Sequence, residues 1–467
     1  MKITKYILVF GLIAVFFSSC MLGPKFQKPE VEVADSYLGK HIAGDSINLR
    51  WWELFGDDVL DTMIAHALIY NKDVLMAAKR IEQARAYHGM TKADLWPSIS
   101  VQAGAARGNY LGGGAKSASV GNNFYITPAL SWEIDFWGKY RSLSEAAQAD
   151  LIASEFGMRS MQITLISDVS AAYFKLIDFQ KRKAIAQKTV EARLNSLNII
   201  RMRFDKGIIP EIDVNQAEAQ WSIALGSVPA YERAIAQTSY VLSILLGENP
   251  KEYILNAEYE DQIKSPDIPA GIPSSLMTRR PDIGQAEAQL RSQNAHIGAA
   301  IAARFPSISL TGVFGAASSS LDGLVSGGAA WSAGASLLGP IFEFGKNKRR
   351  VEVERRKAEE MLINYEKVVI YAFRDVEDAL INIETLKKEL EANTIYFKST
   401  SNAARLSVLR YDKGVTSYLE VLENERSAFN AELQLSEINQ LLLSSYVGLY
   451  KALGGGWISA DEEANTQ

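Results

Sequence analysis

The chain has a single cysteine, Cys20, in 467 residues. One thiol excludes an intrachain disulfide and any metal centre built from clustered cysteines. The four histidines, His41, His66, His88 and His296, have no acidic or sulfur partners at ligand spacing. No nucleophile–base pair is present either, so the sequence points to no enzyme activity and no cofactor. Outside the N-terminus there is no apolar run of about 20 residues, so no helix of the mature chain is expected to cross a bilayer. The net charge of −5 gives no pull toward nucleic acid. Proline and glycine are absent from Lys346 to Lys413, which reads as one uninterrupted helix.

That helix stops at Arg410-Tyr411-Asp412-Lys413-Gly414. Gly414 supplies the left-handed C-cap that residues with side chains adopt poorly. The stretch recurs as Arg203-Phe204-Asp205-Lys206-Gly207, and Gly207 and Gly414 are 207 positions apart. Leu246-Gly247 and Leu453-Gly454 share that spacing. The chain is therefore internally duplicated, with two long helical hairpins.

In chain order, Lys2 and Lys5 precede an apolar run from Tyr6 to Phe17 and the small residues Ser18 and Ser19. This predicts a secretory signal at 1–19, resembling a bacterial lipoprotein signal that leaves Cys20 first and acylated, holding outer membrane lipid. An extended leader follows at 20–56. The first repeat is 57–249, a proline-rich linker 250–275, the second repeat 276–456, and an acidic, polar tail 457–467. Asp57 or Asp58 caps a helix through Leu60, Ile64 and Leu68, and another runs from about Asp73 to Asp94. Alternating apolar residues predict strands from Ile99, over 124–136, after Phe305 and over 330–344. Long helices lead to Phe204 and to Tyr411, and a return helix spans about 213–246.

The second long helix carries Tyr365, Val369, Ala372, Val376, Ala379 and Ile383, a line alternating four and three as in coiled coils. About 65 residues at 1.5 Å each make roughly 100 Å, while the return helix is only half as long. The short helix before each first strand must then complete the partner, stacked end to end with the return helix. Strands of about a dozen residues suit a membrane barrel wall. Four strands do not close a barrel, and an open edge is not viable in lipid. Two, three or four copies would satisfy closure.

Trp51-Trp52-x-x-Phe55-Gly56-Asp57, Leu95-Trp96-Pro97-Ser98, Asp135-Phe136-Trp137-Gly138-Lys139, Arg279-Arg280-Pro281-Asp282-Ile283, Arg304-Phe305-Pro306-Ser307 and the two Asp-Lys-Gly tips, taken in order, resemble the TolC-like outer-membrane efflux proteins in their lipoprotein branch. The resemblance covers essentially the whole mature chain. It implies a mainly α fold with a transmembrane β-barrel. Four β-strands per chain would make a twelve-stranded barrel in a homotrimer, above a long antiparallel coiled-coil α-helical barrel in the periplasm. It also implies a passive export duct for drugs or other small molecules, docked to a periplasmic adaptor protein and an inner-membrane pump. A type I protein-secretion duct and a structural coiled-coil envelope lipoprotein are the alternatives. The strands, with Trp and Tyr near their ends, speak against the latter.

The resemblance puts a periplasmic gate at Asp213, Tyr411, Glu420 and Glu423, with Tyr411 hydrogen-bonding near Asp213. Carboxylates ringing a constriction raise local cation concentration and disfavour anions; acids in a first helical turn also stabilise the helix by themselves. Thr416 stands where some relatives carry a basic latch residue. Arg203, Gly207, Arg410 and Gly414 are expected on the outer surface of the tips, where an adaptor would dock.

Overall fold

The computed structural model describes residues 21–31, 50–109, 120–255, 276–327 and 329–455. The expected signal, Cys20, much of the leader, most of the linker and the tail lie outside them. Helices α1 (Asp58–Tyr70) and α2 (Lys72–Ala93) precede strands β1 (Ser98–Asn109) and β2 (Val120–Ile134), then α3 (Lys139–Asp205) and α4 (Glu211–Leu245). The order recurs as α5 (Pro281–Ala302), β3 (Ser307–Ser318), β4 (Ala329–Leu338), α6 (Lys346–Asp412) and α7 (Tyr418–Ala452). Both members of each long pair have the same length, 67 residues for α3 and α6 and 35 for α4 and α7. The offset between repeats is 209 from α2/α5 through β1/β3 (Ser98 to Ser307) and 207 from Lys139/Lys346 onward.

Two compact units cut across the repeats. The first holds Arg80–Glu155 and Gln285–Glu366 with leader residues 21–31. Its antiparallel sheet has the order β1-β2-β3-β4. The hairpins have equivalent registers, Ser98 opposite Ser131 and Ser307 opposite Leu338. The central pair sets Ile134 against Ile308 and Leu130 against Gly312. Alternation sorts the side chains. One face carries Ile99, Val101, Ile126, Leu130, Phe314, Trp331 and Leu337, all exposed. The other carries Ser100, Gln102, Thr127, Ser309, Thr311 and Ser336. β4 ends at Leu338 rather than near Phe344. Pro340 explains the early stop, since it has no N–H to donate to a ladder. Where the strands meet helices, the Trp137 indole stacks on Phe305 at 4.7 Å and donates to the Pro306 carbonyl at 2.8 Å. The leader lies along α5. Gly23 abuts Gly298, Asn294 donates to the Pro24 carbonyl, and Lys28 pairs with Glu287 at 2.7 Å.

The second unit holds the described parts of Glu32–Lys79, Phe156–Gly284 and Lys367–Gln467. Its core joins the expected line on α6, with Val376, Ala379 and Ile383, to Leu165, Val169 and Leu176 of α3. A short 3-10 turn, Trp51–Phe55, buries Trp51 flat on Tyr450 at 4.8 Å and Phe55 against Phe174. Asp57 caps α1 through the Val59 and Leu60 amides and accepts the Tyr173 hydroxyl.

The return helices do end against the next short helix, as their lengths require. Asn71, at the head of α2, donates from Nδ2 to the Leu245 carbonyl at 2.9 Å, and its Oδ1 accepts the Asp73 and Val74 amides. Arg280, at the head of α5, donates to the Ala452 carbonyl at 3.0 Å and is held by Asp282 and Asp375. Leu245 and Ala452 are themselves 207 apart, so two unlike side chains tie the same carbonyl in the two repeats.

Candidate functional site

The hairpin tips belong to the second unit, and each is built by the same backbone device. Gly207 has φ +70° and Gly414 φ +71°. The next amide reaches back to the Arg203 or the Arg410 carbonyl, in both cases at 3.0 Å. Each glycine amide bonds three residues back, to Phe204 or Tyr411. This doubled bond satisfies the last carbonyls of a helix and turns the chain. Neither return helix has a side-chain cap: Pro210 opens α4 and Ser417 opens α7. Asp213 and Glu420 each stand third in their helix, where a carboxylate faces the positive end of the dipole.

A small apolar cluster holds the tips together: Leu197, Ile200 and Ala217 with Tyr418, Val421 and Leu422, and Tyr411 against them. The Tyr411 and Tyr418 rings lie 5.2 Å apart. Arg203 places its guanidinium over the Tyr411 ring at 5.1 Å and pairs with Asp412 at 3.3 Å. Arg410 pairs with Glu420 at 3.0 Å, and the Thr416 hydroxyl donates to the other oxygen of that carboxylate. Glu423 pairs with Arg426 at 2.7 Å. These pairs are partly exposed, and such pairs contribute about 0–1 kcal/mol each. They fix side-chain positions more than they stabilise the fold.

The expected division into gate and docking residues is therefore bridged by contacts. Arg203 touches Tyr411, and Arg410 touches Glu420. The Tyr411 hydroxyl is buried, and the Arg203 guanidinium over its ring is the group that bears on it. Among the described residues of the single chain Tyr411 makes no hydrogen bond to Asp213. The charge of Asp213 bears on Tyr418 instead, whose hydroxyl is pushed well up, first by burial and then by Glu425, Tyr411 and Asp213. Thr416 supplies no charge, yet it holds Glu420 by a hydrogen bond. Deeper in the hairpins Arg193 is buried, donating to the Gln220 carbonyl at 2.6 Å and lying over Phe429 at 5.1 Å. Burial pushes the nearby Glu425 carboxyl up, and Arg193 opposes it. Sequence patterning gave no sign of this pair, because its members lie on separate helices. Among the described residues no group of His, Cys, Asp or Glu could hold a metal ion.

The model of the outer membrane efflux protein family matches residues 63–248 and again 272–455. The chain belongs to that family. It is an outer-membrane channel of an efflux pump. The cation efflux system protein CusC of Escherichia coli is 32% identical over 451 residues, 95% of this chain and 97% of CusC. The toluene efflux pump outer membrane protein TtgF of Pseudomonas putida is 34% identical over 460 residues, 95% of this chain and 96% of TtgF. Among solved structures, the Campylobacter jejuni CmeC outer membrane channel has a TM-score of 0.87 at 28% identity, over 96% of this chain and 97% of that one. The mainly helical fold with a four-stranded antiparallel sheet is thus the efflux-channel fold.

Proposed function

We propose that three copies of this chain close a twelve-stranded barrel in the outer membrane and form a passive duct for drugs or other small molecules. The observation that carries the reading is the sheet. One face is apolar and exposed, the other is lined by serine, threonine and glutamine, and among the described residues the outer edges of β1 and β4 are unpaired. Lipid outside and water inside require that sorting, and lipid tolerates no open edge. The duct performs no chemistry; an inner-membrane pump supplies the energy, and a periplasmic adaptor docks on the tips at Arg203, Gly207, Arg410 and Gly414. Asp213, Tyr411, Glu420 and Glu423 form the periplasmic gate, and Cys20 carries the lipid anchor. The relatives are named for cations and for toluene, although both align over almost the whole chain; this supports a duct shared by systems of different cargo.

The decisive measurement is conductance of the purified protein in a planar bilayer. Cation-selective steps from a trimer are expected; a trimer that never conducts would instead be an envelope scaffold. Gly207→Trp should abolish drug export while leaving trimer and localisation intact, and unchanged export would remove the docking role. Cys20→Ala should lose incorporation of labelled palmitate.

A further inference from the structure

The two halves of the sheet are copies of one hairpin, and the contact between them is recorded in this chain. β2 of the first hairpin pairs with β3 of the second, Leu130 opposite Gly312 and Ile134 opposite Ile308. At the foot of this pair, Trp137 stacks on Phe305. Among the described residues the outer edges of β1 and β4 have no strand partner. β4 is the repeat of β2 and β1 is the repeat of β3. The offsets that relate them are fixed by the shared hairpin register: Ser131 to Leu338 is 207, and Ser98 to Ser307 is 209. The β2–β3 contact therefore serves as a template for the missing one.

We infer that β4 pairs antiparallel with β1 of a second copy in the register that the duplication transfers from β2–β3. Leu337 then lies opposite the partner's Ala103, and Leu338 opposite the partner's Gln102. The transfer keeps the faces in phase, since Leu337 and Ala103 both belong to the apolar face and Leu338 and Gln102 both to the polar face. A one-residue slip would reverse that sorting. This inference rests on the trimeric barrel proposed above and specifies its seam.

Independent features of the chain agree. Phe344 repeats Trp137 at a spacing of 207, and Trp96 repeats Phe305 at 209. Trp137 and Phe305 cover each other, whereas Phe344 is 88% exposed and Trp96 70%. Phe344 is also the only non-glycine residue at positive φ, +51°, among the described residues. Such a conformation is strained for a residue with a side chain and persists where surrounding contacts determine it. Within the chain the Phe344 ring meets that of Phe342, 4.6 Å away and itself exposed, so most such contacts are still wanting. Seating Phe344 and its exposed neighbour Phe342 on the partner's Trp96 supplies them, and so completes between copies the aromatic step that the chain makes once within itself.

Cysteine pairs in the full-length protein test the register. Directly opposite residues bring Cβ atoms to about 4.5–5.5 Å and diagonal ones to about 7–8 Å, against about 3.5–4.5 Å in a disulfide. Leu337→Cys combined with Ala103→Cys, and Leu338→Cys combined with Gln102→Cys, should give about tenfold more intermolecular disulfide than Leu337→Cys combined with Val101→Cys or Ala105→Cys. Each variant is first sized in detergent. A trimer in which a shifted pair links best, or in which no pair links, overturns the register while leaving the barrel reading intact. A protein that is monomeric before oxidation overturns the barrel reading itself. Phe344→Ala adds a second readout: the trimer should dissociate at a lower temperature than the parent, and an unchanged temperature removes the aromatic seat.

Discussion

Gly207, Gly414, Gly247 and Gly454 end four helices of the second unit with the same left-handed turn, φ between +70° and +77°, and they fall into two pairs. At the tips, a β-carbon built on Gly207 or Gly414 meets nothing within 4 Å. At the junctions, a β-carbon on Gly247 would lie 2.2 Å from the Tyr70 carbonyl oxygen, and one on Gly454 3.0 Å from that of Arg279. The same sequence signal thus serves two purposes. One pair turns a helix and leaves its outside free for another molecule. The other turns a helix and clamps its end onto the next.

The sharpest way to break the comparison is Gly247→Ala. Backbone strain and a collision with main chain combine there, and a loss of about 3 kcal/mol or more is expected, read as a lower unfolding temperature of the purified trimer. Equal melting of variant and parent would mean that the junction is not clamped. Asn71→Ala removes both a helix cap and the tie to Leu245, and should cost about 1–2 kcal/mol by the same measurement. Gly414→Ala meets only the left-handed strain, about 1–2 kcal/mol. It should melt well above Gly247→Ala, and the reverse order would dissolve the distinction between the pairs.

The smallest effect concerns charge. At the tips Glu420 and Glu423 are paired with arginines, whereas in the first turn of α1 Asp61 has a buried oxygen with no partner among the described residues. Its carboxyl is pushed up to about 6, first by burial and then by Glu53, Asp57 and Asp58. An acid that holds its proton more tightly in the fold than in the unfolded chain stabilises the fold at low pH, and that stability is lost as pH rises from about 4 to about 6. Asp61→Asn should flatten this slope and raise stability at pH 7 by less than about 1 kcal/mol. A slope unchanged by the substitution would place the titration elsewhere.

The long helices, the duplication and the coiled-coil line were legible because each is periodic: Tyr365, Val369, Ala372 and Val376 are all fully buried. The tip glycines were legible because a left-handed stop has a narrow residue preference. What stayed hidden is contact between distant segments. Arg203 and Asp412 are 209 positions apart, and no local pattern announces that they meet or that Arg410 turns back to Glu420. The shared job of Asn71 and Arg280 was hidden for another reason. A helix end needs only a donor at the right place, and an amide and a guanidinium both supply one. The strand end at Leu338 was misplaced because the apolar residues continue past Pro340, and apolar alternation outlasts the ladder it usually marks.

The offset between repeats changes only once along the ordered elements, from 209 to 207, and the change falls between β1/β3 and β2/β4. The net change in chain length falls between the strands and in none of the three helix pairs α2/α5, α3/α6 and α4/α7. A residue added to a long helix would rotate everything beyond it by about 100° and displace it by about 1.5 Å, tearing both a coiled-coil seam and a splice. A length change between two strands rotates no helix, so the helices keep the ancestral count as a ruler.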